Sequence, residues 1–151
     1  MIKIICVGKI KEKFYREAIL EFQKRLSKYT KLEIIEVEDV KGDNPNWIMK
    51  KEKDLILKKI SDKDYIITLE IEGKELTSNQ FAEYLDRTFL NQSTITFIIG
   101  GSYGLDQEIK DKAQFKLSFS RMTFPHQLFR ILLLEQIYRS YKILHNESYH
   151  K

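Results

Sequence analysis

Thr94-Ile95-Thr96-Phe97-Ile98-Ile99-Gly100-Gly101-Ser102-Tyr103-Gly104 runs from an apolar, β-branched stretch straight into a glycine-rich turn. Residues 94–99 read as a buried strand and the glycines as a turn at its carboxyl end. Glycine permits positive φ and lets a backbone approach a ligand closely. Open α/β sheets bind ligands beyond the carboxyl ends of their strands. Gly100, Gly101 and Gly104 are therefore candidate binding residues, the plainer alternative being a tight strand-to-helix turn. The turn is no dinucleotide fingerprint. That motif belongs after the first strand, where Cys6-Val7-Gly8-Lys9-Ile10-Lys11 does not fit it. No Gly-Lys-Ser/Thr follows, which removes the phosphate-binding P-loop.

Upstream, residues 2–7 read as a short buried strand closed by Gly8. Phe14, Ala18, Phe22, Leu26 and Tyr29 recur at helical spacing and predict a helix over about 12–28. Residues 31–38 predict a second strand. Asp39 to Asn46 is polar and reads as a loop, with Asn44 as cap and Pro45 in the first turn of a helix carrying Ile48, Glu52, Leu55, Ile56 and Ile60. Residues 64–69 predict a third strand, and 70–74 a turn around Gly73. Thr77 and Gln80 form a capping box for a helix to about Leu90. After the glycine turn, Asp106 caps a short helix. Phe115, Leu117 and Phe119 alternate as a fifth strand, and Pro125 fits the first turn of a long last helix. The alternation of strands and helices calls for a mainly parallel sheet with helices on both faces. Strands so rich in isoleucine suit burial on both sides. No repeat or flexible linker divides the chain, so 1–151 is expected to be a single domain.

Composition narrows the function classes. Hydrophobic content of 42% against 32% charged is that of a soluble globule. No apolar run approaches the ~20 residues of a membrane span, and the first residues make a poor signal peptide. The single cysteine, Cys6, excludes an internal disulfide and reads as a small buried hydrophobe. A cytoplasmic protein is expected. The net charge of +4 is compatible with a nucleic-acid partner. Its distribution says more: Lys9, Lys11, Lys13 and Arg16 crowd the first loop and helix start.

The second unusual stretch is Leu117-Ser118-Phe119-Ser120-Arg121-Met122-Thr123-Phe124-Pro125-His126. Its mixture of hydroxyls and aromatics can line an apolar pocket for an adenine ring while offering polar contacts. A connection with capping hydroxyls is the alternative. Glu135 and Arg139 stand four apart and can pair with each other, or instead cross a subunit interface. Arg130 points elsewhere, toward a cofactor site, a phosphate or a partner chain. An extreme terminus such as Tyr149-His150-Lys151 would usually be disordered. Ordered over a site, Tyr149 could stack on a base and Lys151 contact phosphate. His126, His145 and His150 lack metal-ligand spacing, so no metal is expected, and no Gly-x-Ser-x-Gly elbow supports a serine hydrolase.

These motifs resemble the bacterial ribosomal RNA large-subunit methyltransferase H family, within the knotted SPOUT class of methyltransferases. The resemblance covers essentially the whole chain: residues 1–11, 67–74, 97–105 and 117–126, then Glu135-Gln136-Ile137-Tyr138-Arg139 and Tyr149-His150-Lys151. It implies a SPOUT-type α/β fold, a five- or six-stranded sheet with a C-terminal trefoil knot, and a homodimer. It implies S-adenosyl-L-methionine as cofactor and methylation of N3 of a pseudouridine in helix 69 of 23S rRNA on the assembled 70S ribosome. The family's cofactor pocket maps onto Leu69, Gly101, Ser120, Arg121, Met122, Thr123, Phe124 and Pro125, with Gly100 and Gly104 shaping the same turn. Its functional tail maps onto Tyr149, His150 and Lys151. His150 is expected to remove the N3 proton or orient the substrate, Lys151 to stabilise phosphate or carbonyl charge, and Tyr149 to position the base. Two residues depart from many relatives: Tyr103, where smaller or polar residues are common, and Lys151, which replaces an arginine and loses its planar fork. The last helix offers more apolar surface than one sheet face needs. Leu128, Ile131, Leu134, Ile137, Tyr138 and Tyr141 are candidates to divide between core and dimer interface. An RNA-binding module without chemistry, and a tRNA methyltransferase of the same fold, are the rival readings.

Overall fold

Each central strand sends alternate side chains into two different cores, because successive Cβ atoms of a strand point to opposite faces. Ile4 and Cys6 of the first strand and Phe97 and Ile99 of the fourth pack on one side, with Ile19 and Leu26, Phe81 and Leu85, and Leu133 and Ile137 from three helices. Ile5 and Val7, with Ile98, pack on the other, against Ile56 and Ile109 from two more. The computed structural model describes residues 1–150; Lys151 lies outside the described residues.

The elements are β1 (Ile2–Val7), α1 (Lys13–Leu26), β2 (Leu32–Val37), α2 (Pro45–Leu57), β3 (Tyr65–Glu75), α3 (Ser78–Phe89), β4 (Ile95–Ile99), α4 (Gln107–Lys112), β5 (Phe115–Ser118) and α5 (His126–Leu144). The five strands lie in the order β2-β1-β4-β3-β5 and every pairing is parallel. Helices α1, α3 and α5 cover one face and α2 and α4 the other. The crossovers β1→β2 and β3→β4 run one way along the sheet over the first face. Those from β2→β3 and β4→β5 run the opposite way over the second. Direction and face reverse together, so all four crossovers share one hand, as packing of twisted strands requires. The neighbours β3 and β4 send their connections to opposite faces, which opens a crevice at their carboxyl ends.

The caps form as expected. Asn44 accepts from the Trp47 amide with Pro45 behind it, Thr77 and Gln80 close a capping box, and Asp106 accepts from Glu108. Pro125 differs: it is the N-cap of α5 rather than part of its first turn.

The larger difference is at Gly73, where a turn is expected and β3 instead continues to Glu75. Leu69 pairs with Leu117, four residues leave the ladder, and Lys74 then pairs with the same Leu117. The excursion needs a glycine, because a Cβ at Gly73 would stand 2.7 Å from the Lys116 carbonyl oxygen. Gly73→Ala is expected to lower unfolding stability by about 2 kcal/mol, read in urea denaturation, since rigid backbone must shift to admit the methyl.

Two buried polar groups anchor the sheet. Lys3 and Asp64 pair at 2.5 Å, both almost fully buried, and Lys3 also donates to the Lys59 carbonyl at 3.0 Å. Asp64→Ala should cost about 3 kcal/mol, because it leaves an ammonium buried without its counter-charge. The same urea titration measures it. Cys6 is buried, and burial pushes its thiol up to about 12. A thiol reagent at pH 8 should therefore leave the folded protein unmodified and react once denaturant opens the sheet.

Helix α5 is more deeply embedded than its sequence implies. Leu134, Ile137 and Tyr138 belong to the core of their own chain, which removes them as interface candidates; Leu128, Ile131 and Tyr141 stay half-buried. Arg130, expected to reach a ligand or a partner, is also buried. Its guanidinium donates to Glu36 at 2.6 Å and to the Gly8 carbonyl at 3.1 Å, clamping α5 to β1 and β2.

Candidate active site

A cleft of about 330 Å³ opens beyond the carboxyl ends of β3, β4 and β5. Leu69 and the excursion of β3 that follows it, through Glu70, Ile71 and Glu72, supply one wall. The glycine turn after β4 supplies the floor. Residues 119–124 and the start of α5, with His126 and Phe129, close the far side.

The glycine turn is a closed loop. Gly104 donates to the Gly101 carbonyl at 3.0 Å and the two bridge each other. A Cβ on Gly100 would fall 2.8 Å from the Gly104 carbonyl carbon. On Gly101 it would fall 3.1 Å from both the Val7 side chain and a Glu52 carboxylate oxygen. Gly104 has φ +81° with open space where a Cβ would stand. The first two glycines answer to close packing and the third to backbone conformation. Tyr103 is half-exposed and takes no part in lining the cleft.

The loop after β5 is ordered by its own hydroxyls. Ser118 donates to the Ser120 carbonyl at 3.2 Å, and Ser120 Oγ accepts from the Met122 amide at 3.0 Å. Phe119 and Phe124 pack on Phe129, with ring centroids 4.9 and 6.0 Å apart. The cleft is thereby apolar on this side and lined by backbone on the other.

Of the cofactor residues expected from sequence, Leu69, Gly100, Gly101, Gly104, Ser120, Met122, Thr123 and Phe124 line the cleft. Arg121 and Pro125 lie in the same loop but are exposed and not on its wall. The sequence reading missed Glu70, Glu72 and Lys110. Glu70 accepts from Thr68 Oγ1 at 2.6 Å and sits 3.7 Å from the Lys110 ammonium, its side chain only 11% exposed. It lies in the segment expected to be a solvent turn, so periodicity gave no signal. Glu52 was legible in principle: it is the one acid on the apolar stripe of α2. It lies buried under Gly101 and accepts from the Val40 amide at 3.2 Å. Burial raises its carboxyl, reinforced by Asp39 and opposed by the Val40 amide and Lys41. His126 is lowered from its ordinary value mainly by burial and also by Arg130, against the pull of Asp39.

Tyr149 and His150 lie elsewhere, on α5; Lys151 is outside the described residues. Arg139 donates twice to Glu135 Oε1, at 2.6 and 3.0 Å, forming the expected pair within α5. Tyr149 donates to the same carboxylate at 3.2 Å and stands edge-on to Tyr138, with the Arg139 guanidinium over its ring. Arg139 Nη1 lies 3.1 Å from His150 Nδ1. Arginine can only donate, so in this contact Nδ1 accepts and the ring N–H is left to Nε2. Neither Tyr149 nor His150 lines the cleft of its own chain. Among the described residues no group of three or more His, Cys, Asp or Glu could hold a metal ion.

Comparison with known proteins places the chain among relatives. A family model described as "Predicted SPOUT methyltransferase" matches residues 1–150. A protein of Clostridium botulinum (strain Hall) named "Ribosomal RNA large subunit methyltransferase H" is 55% identical over 157 aligned positions, which cover 99% of both chains. A Clostridium perfringens (strain SM101) protein named "Ribosomal RNA large subunit methyltransferase H 1" is 51% identical with the same coverage.

Proposed function

The chain belongs to the SPOUT methyltransferase family, and from that premise we propose that it methylates N3 of a pseudouridine in helix 69 of 23S rRNA. The methyl donor in this reading is S-adenosyl-L-methionine, the substrate particle the assembled 70S ribosome, and the compartment the cytoplasm. The chain acts as one domain in a homodimer, with the carboxyl-terminal knot of its family. The observation that carries the reading is the glycine-floored cleft, to which eight of the ten cofactor residues expected from sequence contribute.

The residues fit an adenosyl group. The volume is in the range of small-molecule sites. Leu69, Leu117 and the phenylalanine cluster give apolar faces for a purine. Gly100, Gly101 and Gly104 line the cleft with backbone that carries no side chain, which suits the polar edge of a purine. When bound, the cofactor supplies an electrophilic methyl group on a positively charged sulfur.

The remaining task for the protein is to orient the pyrimidine and dispose of its N3 proton. His150 is assigned to the base. Held by Arg139, it presents Nε2–H, a donor suited to a pyrimidine carbonyl oxygen. To accept the N3 proton it must first release Arg139, which frees the Nδ1 lone pair. Tyr149 is assigned to positioning the base and Lys151 to phosphate or carbonyl charge. Because the tail does not line its own cleft, the reading has a second copy bring its tail to it. Half-buried Leu128 and Ile131 and exposed Met122 supply apolar surface for that contact.

The test is incubation with methyl-labelled S-adenosyl-L-methionine and 70S ribosomes from a strain lacking its own copy of the enzyme, followed by nuclease mapping and mass spectrometry. Label on one pseudouridine of helix 69 is the expected result. Label confined to tRNA or precursor particles would overturn the target while keeping the chemistry. Binding of RNA with no label anywhere would favour a module without catalysis.

A further inference from the structure

We propose that residues 9–16, the loop after β1 and the first turn of α1, form the surface that grips the substrate RNA beside the cleft. The proposal rests on the rRNA reading above and adds the place where the RNA is held.

Four observations carry it. Lys9, Lys11, Lys13 and Arg16 put four cations into eight residues that contain one carboxylate, Glu12. All five are exposed. Among the described residues, the only ion pair they make is between Lys13 and Glu17, 3.8 Å apart, with both side chains more than half exposed. Such a pair competes weakly with a phosphate.

The segment is also fixed in place. Arg16 Nη1 donates to the Lys11 carbonyl at 2.8 Å, and the Lys11 amide donates to Gln127 Oε1 at 3.3 Å. The Ile10 amide donates to Glu36 at 3.3 Å. Little ordering remains to be done when a polyanion arrives, which favours binding.

The segment starts at the cleft. A Cβ on Gly8 would lie 3.8 Å from His126 Nε2, and His126 lines the cleft wall. Gln127, the next residue of α5, holds the loop. Phosphates on these lysines would run past the mouth where the acceptor base enters.

An aromatic stands among the cations. Phe14 is 61% exposed although it begins the apolar stripe of α1, and it packs against Tyr15 with ring centroids 4.3 Å apart. An exposed ring among lysines suits an unstacked base, the usual element of RNA recognition.

The experiment measures equilibrium binding of the full chain to 70S ribosomes as a function of salt, with cofactor affinity and methylation followed in parallel. Neutralising Lys9, Lys11 and Lys13 together to Gln should weaken ribosome binding at least about 30-fold at 0.1 M salt. It should also reduce the slope of log K against log salt by about 2 to 3, the loss of as many phosphate contacts. The triple arginine variant should restore both. Phe14→Ala should weaken binding by about tenfold with the slope unchanged, because stacking releases no counterions. Affinity for S-adenosyl-L-methionine should stay within twofold in all of them, and that control shows that the variants fold.

Ribosome affinity and slope unchanged in the glutamine variant would overturn the proposal. So would a shift from dimer to monomer as the sole effect, which would assign the surface to a second copy. If wild-type protein binds ribosomes through this surface but methylates nothing, the methyltransferase reading fails and the grip stands.

Discussion

Removing residues 149–151 is expected to lower methylation of 70S ribosomes by at least about 1000-fold while cofactor affinity stays within about twofold. The asymmetry follows from the placement of the tail. The cleft is built from the carboxyl ends of β3, β4 and β5 and the start of α5, and neither Tyr149 nor His150 lines it. Cofactor binding should therefore survive. The acceptor is a different matter. The N3–H of a uracil-type ring is weakly acidic, and a positioned proton acceptor or a donor to the developing anion contributes about 100- to 10,000-fold. Removal of base-positioning contacts multiplies that loss. Single-turnover methylation with saturating cofactor is the measurement, and calorimetric cofactor titration the control. His150→Ala alone should retain part of the loss, and Tyr149→Phe a smaller part, since it keeps the ring on Tyr138 and gives up only the bond to Glu135. Near-normal turnover of the truncated chain would remove the tail from the mechanism.

Gly100→Ala is expected to weaken cofactor binding at least about 100-fold. The obstruction is backbone: the new methyl would meet the Gly104 carbonyl carbon and oxygen at 2.8 and 2.9 Å and the Leu105 side chain at 3.1 Å. No rotamer change relieves a main-chain clash, so the closed turn between Gly101 and Gly104 must open, and with it the cleft floor. Gly104→Ala is the contrasting variant. Nothing lies within 4 Å of its Cβ position, and its φ of +81° costs an alanine about 1–2 kcal/mol of local strain. It should lose stability of that size and much less affinity than Gly100→Ala. Equal losses in the two variants would mean that conformation, and not the close approach at Gly100, makes the floor.

The elements of this fold were legible because their signals are local. Asn44-Pro45, Thr77 with Gln80, and Asp106 cap the helices they were expected to cap, since a cap reads only the three or four amides beside it. The isoleucine-rich strands announced burial on both faces. Gly73 was misread for the same reason. Locally it is turn chemistry; only the Lys116 carbonyl, brought against it by the β3–β5 pairing, makes it a close approach within a strand.

The candidate site divides along the same line. By itself the chain determined an alternating α/β architecture and a buried cysteine, and it singled out the glycine turn and hydroxyl-aromatic loop as candidate binding elements. Each follows from the spacing of a few neighbouring residues. Tertiary structure alone decided that these two segments, with the excursion of β3, face one cleft. It also placed Glu52 beneath the glycine turn and turned Arg130 inward to Gly8 and Glu36. The tail, too, was seated there, on Glu135 and Arg139 and away from its own cleft. Those placements depend on which strands become neighbours and on which face each helix returns. Apart from those of Tyr149 and His150, such contacts span dozens of residues of sequence, and no local periodicity records them.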